Sequence, residues 1–237
     1  MKPGLVFLVI SAGIISVKLE PYIQSNYKSE SSNEVYQQTL YEKLWESGLD
    51  IADQTLQTDF LKQMQAGTLK AERYINFTLQ DIYYAVKVTK ILNRLSKRNF
   101  SQDETDLQQF FSKTNQSYSH FADTLLIGYS LKNIHELRPW PVIDNYVRSY
   151  EKLLKRNPLY FAVGMLPCSK LWPYIANKLT IDTSSPYYHF KSENEHDGSK
   201  NNYESLLERH RLKISERQAK KIFQTHMKLE MQFFAEA

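Results

Sequence analysis

The sequence predicts an all-α chain folded as a single-domain helical bundle of about seven helices. Three observations carry that prediction. Apolar residues recur at helical spacing from about Val35 to Phe234. No run shows the alternation and turn punctuation of a strand. Seven glycines and eight prolines in 237 residues are too few for the many turns of an all-β fold. A chain of this size buries about seven-tenths of its unfolded surface, so its core needs no staples.

The N-terminus comes first. Lys2 supplies a positive start, Leu5 to Ile15 form an apolar run, and Ser16 offers a small residue for cleavage. This reads as a secretory signal peptide over residues 1–16, against a buried strand or short anchor as the competing readings. The run is too short to span a bilayer as a helix, so no stable membrane insertion is expected. Residues 17–32 read as a polar spacer and 33–237 as the helical domain. The expected location is outside the cell or in the secretory lumen.

The helices follow in order. Val35, Leu40, Leu44, Trp45, Leu49 and Ile51 share a helical face. Phe60 to Met64 form a short helix stopped by Gly67, and Thr68 is placed to cap the next one. That helix runs from about Lys70 to Lys97, with Tyr74, Phe77, Asp81, Tyr84 and Val88 on one face. A helix started by Asp103-Glu104 reaches about Leu131, and another covers Val142 to Leu154. Asn157-Pro158 open a helix to about Leu179, followed by a short aromatic one, Tyr187 to Phe190. Ser192 to Asn202 read as a loop, and Tyr203 to Phe234 as one last helix.

Three residues sit where a plain helical core would not put them. Asp81 interrupts an apolar face, and a buried carboxylate is costly unless it is paired or hydrogen-bonded. Glu230 does the same in the last helix. Cys168, the one cysteine, follows Pro167, which deprives the Val163 carbonyl of its helical partner and should kink the backbone there. A lone cysteine on a secretory route is inert and buried, pairs between chains, or is a reactive thiol. The three lie on different helices and can meet only in a bundle interior, where helical folds build sites. Three glycosylation sequons also occur, at Asn76, Asn99 and Asn115. Asn99 lies in a polar turn and is the expected acceptor, with Asn115 second, whereas Asn76 falls in a packed helix.

The net charge of +4 is small and dispersed, which argues against nucleic acid. The six histidines make no set with metal-ligand spacing, so no metal or cofactor is expected. A small molecule is the expected partner, and a homo-oligomer is left open.

Taken together, the motifs resemble the TenA/thiaminase II family of the haem-oxygenase-like fold. They are Phe60 to Leu69 with Gly67-Thr68-Leu69, then Gln80-Asp81-Ile82-Tyr83-Tyr84, Leu166-Pro167-Cys168, and Glu230-Met231-Gln232-Phe233-Phe234. The resemblance implies Cys168 as nucleophile, Glu230 as acid, and Asp81 and Tyr84 as residues that hold an aminopyrimidine and orient the thiol. It places Tyr146 in the pyrimidine pocket, with Phe77 and Trp172 as further binding residues. Trp172 and Asn194 stand where the family often has tyrosine.

The implied activity is cleavage of thiamine or a derived aminopyrimidine through a cysteine-linked pyrimidine, by hydrolysis or base exchange. A thiolate suits attack on an electron-poor ring carbon. On this reading Asp81 is the polar carboxylate, and Glu230 is buried, protonated and the proton donor. The alternative is a secreted, non-catalytic binder of thiamine-like molecules. Haem ligation would want a histidine on the first helix, and Val35 to Leu49 has none.

Overall fold

The computed structural model describes residues 37–237 apart from 133 and 136; Val35 and the stretches read as a signal peptide and a spacer lie outside them. Among the described residues there are ten α-helices and no strand. They are α1 (Leu40–Glu46), α2 (Leu49–Leu56), α3 (Asp59–Gln65), α4 (Ala71–Ser96) and α5 (Thr105–Gly128). The rest are α6 (Pro141–Leu153), α7 (Pro158–Lys178), α8 (Tyr188–Asn194), α9 (Lys200–Arg209) and α10 (Glu216–Glu236). The bundle is as predicted, but more finely divided.

Each extra break has a local cause. The first expected helix splits at Gly48, where a Cβ would stand 2.7 Å from Phe223 Cε1 on α10. Only glycine lets that turn approach so closely. The long last helix expected from Tyr203 is two helices. α9 stops at Arg209, and Ser215 caps α10 by accepting from the Gln218 amide at 3.4 Å. The aromatic helix starts one residue later than expected and runs on to Asn194, into what read as loop. Thr68 does not cap α4; Lys70 occupies that position, and the Thr68 hydroxyl turns back to the Gln63 carbonyl.

Other expected signals hold. Gly67 has φ of +68°, and the amides beyond it close α3 on the Gln63 carbonyl, as a left-handed stop does. Pro141 and Pro158 occupy first turns, and Asn157 caps α7 through the Leu159 amide. α7 is apolar nearly all round and runs unbroken through Pro167 and Pro173. Such a helix belongs in the centre. α10 lies along it and also packs on α2 and α6, while α4 packs on α5 and α6.

Aromatic rings fill the contact between α4, α7 and α10. Phe77 stacks on Phe233 with centroids 4.4 Å apart and leans on Trp172 at 5.8 Å. A smaller cluster (Ile82, Phe121, Leu125, Ile134) closes one end of α4 and α5. His210 is buried and bonds both Asp106 oxygens at 2.9 Å. The break between α9 and α10 turns it inward.

Candidate active site

Four helices bring one thiol, two carboxyl groups and a set of phenols to one small cavity. Asp81 and Tyr84 come from α4, Tyr146 from α6, Cys168 and Trp172 from α7, and Glu230 from α10. Ile143 and Phe233 complete the wall. The residues on α4, and Cys168 and Trp172 on α7, are three or four apart, so helical spacing turns each pair to the same side. The enclosed space is about 10 Å³, room for about one water molecule.

Glu230 is the fixed point. Tyr146 Oη donates to its Oε1 at 2.7 Å, and Trp172 Nε1 donates to its Oε2 at 3.1 Å. Burial pushes its pKa up to about 7, with Tyr146, Trp172 and the Cys168 thiol pulling the other way by hydrogen bonding. Among the described residues Asp81 has no such donors. Burial, then the neighbouring charge of Glu230, pushes it up to about 8. Asp81 is therefore buried, where a polar setting was expected of it. Both carboxyls are buried, and burial holds each toward its protonated form.

Cys168 lies among the same groups. Burial raises its thiol well above the ordinary value, and Glu230 and Asp81 raise it further. Tyr118 Oη, from α5, donates to Sγ at 3.8 Å, and hydrogen bonds from Tyr118 and Tyr84 favour the thiolate. The sulfur is therefore a thiol, hydrogen-bonded to Glu230, a carboxyl group able to take its proton.

A second layer holds α7 in place. Tyr84 and Tyr150 share a hydrogen bond of 3.0 Å, and Tyr150 donates onward to the Gly164 carbonyl at 3.3 Å. His226 Nδ1 donates to the same carbonyl at 2.7 Å. Burial lowers the His226 pKa to about 4, so the ring is neutral, with its proton on Nδ1 facing the carbonyl. A Cβ at Gly164 would sit 2.6 Å from Leu153 Cδ1 and 2.9 Å from His226 Cε1. Glycine is what admits this histidine.

The TENA/THI-4/PQQC family model matches residues 47–237, which takes in every helix bearing the cavity. The chain belongs to this family. A curated relative is "Aminopyrimidine aminohydrolase" of Staphylococcus aureus strain MRSA252, 22% identical over 78% of this chain and 86% of its own. A solved TenA homologue from Pyrococcus furiosus superposes with TM-score 0.68 at 17% identity, over 82% of this chain and 98% of that one. Haem oxygenase from Leptospira interrogans superposes with TM-score 0.57 at 15% identity, over 84% and 100%. The likeness to both structures is one of fold, and it bears out the haem-oxygenase-like architecture.

Within this TENA/THI-4/PQQC fold, Asp81, Tyr84, Tyr146, Cys168, Trp172 and Glu230 share the cavity. Phe77 is not in the cavity wall; its ring stacks on Phe233, which is. Asn194 is buried on α8, with its amide bonded to the Phe190 carbonyl at 2.7 Å. Asn99 is exposed between α4 and a 3-10 turn, whereas Asn115 is half-buried within α5 and Asn76 is exposed on α4. Tyr118, Tyr150, Ile143, Phe233 and His226 were not singled out as site residues. Tyr150 was the most readable of these, since it lies one turn from Tyr146. Among the described residues no cluster of three or more metal-ligating groups occurs, and no helix is long and apolar enough to cross a membrane.

Proposed function

We propose that the protein is a thiaminase-type enzyme. Its substrate would be thiamine or a thiamine-derived aminopyrimidine, cleaved through a pyrimidine bonded to Cys168, by hydrolysis or base exchange. The observation that carries the reading is the convergence of Cys168, Glu230 and Asp81 on one aromatic-walled cavity. Family membership and the name of the Staphylococcus aureus relative support it.

The chemistry follows from the two carboxyl groups. A protonated Asp81 can donate to a pyrimidine ring nitrogen while its carbonyl oxygen accepts from the adjacent exocyclic amine. That pairing supplies what Asp81 lacks inside the protein. Cys168 then adds to an electron-poor ring carbon, and Glu230 takes the thiol proton as the C–S bond forms. The electron pair moves onto the ring nitrogen, which takes up the Asp81 proton. The leaving base departs with its bonding pair, and water, an amine or a thiol bonds to the carbon it leaves, releasing its own proton to solvent. As the C–S bond breaks, Glu230 returns a proton to sulfur and Asp81 recovers its own from the ring. In hydrolysis of thiamine the sum is one water consumed and one proton released per bond cleaved.

The closed cavity implies that binding rearranges its walls, since a ring needs more room than about one water. We further propose a secretory route, with residues 1–16 removed and glycans at Asn99 and Asn115. Purified protein incubated with thiamine, with and without an added amine, tests the activity. Released thiazole with hydroxylated pyrimidine means hydrolysis, and pyrimidine joined to the amine means exchange. Thiamine bound and returned intact would leave a binder and refute the enzyme.

A further inference from the structure

We propose that the groove between the end of α6 and the start of α10 is a second small-molecule site. Its ligand would be a soluble phosphate ester with an apolar body. This groove has a volume of about 910 Å³ and shares no lining residue with the catalytic cavity. That is the size of a small-molecule pocket rather than a single-ion site.

Four cations face it: Lys152, Arg156, Arg217 and Lys221. Among the described residues no acidic one lines it, and none of the four is in an ion pair. The acids next to them in sequence are engaged elsewhere. Glu151 holds Arg94 at 2.9 Å, and Glu216 holds Arg211 at 3.3 Å and Lys43 at 3.4 Å. Gathered like charges repel one another, and a bound anion relieves that repulsion. The chain's net charge is only +4, so this concentration is local rather than a reflection of a basic surface throughout.

One of the four is already set in position. Arg156 Nη2 donates to Gln218 Oε1 at 2.8 Å, and its guanidinium lies over the Tyr160 ring, 4.8 Å from the centroid. A guanidinium held in this way keeps donors free for a planar fork to phosphate oxygens. Leu153 and Ile222, both buried, give the groove an apolar floor beneath the cations. That floor calls for an organic body attached to the phosphate. Concavity favours a free molecule over a membrane headgroup.

Calorimetric titration with phenyl phosphate, pyrophosphate and inorganic phosphate tests the proposal on three proteins. These are the parent, a Lys152→Gln/Lys221→Gln double variant, and Cys168→Ser. Phenyl phosphate should bind the parent one to one and more tightly than inorganic phosphate. The double variant, altered only at exposed side chains, should bind about tenfold or more weakly, as expected on losing two charge-assisted contacts. Cys168→Ser should bind like the parent, which separates this site from the catalytic reading. Equal binding by parent and double variant would overturn the proposal, as would binding of none of the three probes. Association seen only with vesicles of phosphatidylserine and phosphatidylcholine would overturn it as well.

Discussion

Tyr146 donates its phenolic proton to Glu230 Oε1 at 2.7 Å, tying α6 to the last helix inside the core. This bond and the one from Trp172 keep a buried glutamate usable as a base near neutral pH. Tyr146→Phe keeps the ring and removes the donor, so the Glu230 pKa should rise above its value of about 7. In a pH–rate profile the acid limb should move to higher pH, with kcat at neutral pH reduced by about tenfold. A limb that stays in place would remove Glu230 from the proton transfer.

Asp81 makes a stability prediction independent of catalysis. Its ordinary pKa of 3.8 rises to about 8 in the folded protein. Between those values the folded chain keeps a proton that the unfolded chain releases, so this group's stabilisation is lost as pH rises through about 8. Asp81→Asn removes that loss. Thermal melts from pH 5 to pH 8 should show the variant losing less Tm than the parent, while its turnover falls by orders of magnitude. Parallel melting curves would mean that Asp81 is ionised in the native site.

His226 has the opposite sign. Its folded pKa falls from 6.5 to about 4, so the unfolded chain binds the extra proton between those values. Its stabilisation is complete above 6.5 and is lost as pH falls toward 4. His226→Asn can keep a donor toward the Gly164 carbonyl without titrating. Its Tm should drop less than the parent's between pH 6.5 and pH 4; an equal drop would place the acid sensitivity elsewhere.

The helices and the outlying carboxylates were legible because both are local signals. Asp81 and Glu230 break apolar periodicity whatever surrounds them. The division of the long final helix was also written locally, as Ser215 with Gln218 three residues on, a capping pattern hidden by the apolar repeat running through it. The hydrogen-bonded setting of Glu230 was not legible. It depends on Tyr146 and Trp172, which reach Glu230 from 84 and 58 residues away. Phe77 illustrates the same limit: its position on the inner face could be read, but not that its ring would stack on Phe233 outside the cavity wall.

Gly164→Ala tests the packing behind the thiol. The added methyl would meet Leu153 and His226 at 2.6 and 2.9 Å, so one of them must move. Overpacking of this kind costs about 1–3 kcal/mol, read as a lower denaturant midpoint with unchanged slope. A midpoint equal to the parent's would show that His226 has room to shift without cost.

Covalent chemistry at Cys168 is the central claim, and rapid quenching with thiamine followed by peptide mass mapping tests it most directly. The account predicts a pyrimidine adduct on the peptide containing Cys168. In Cys168→Ser it predicts no adduct and turnover reduced by about a thousandfold or more, since a serine hydroxyl is barely ionised near neutral pH. Turnover by Cys168→Ser at the parent rate, with no adduct on either protein, would contradict it.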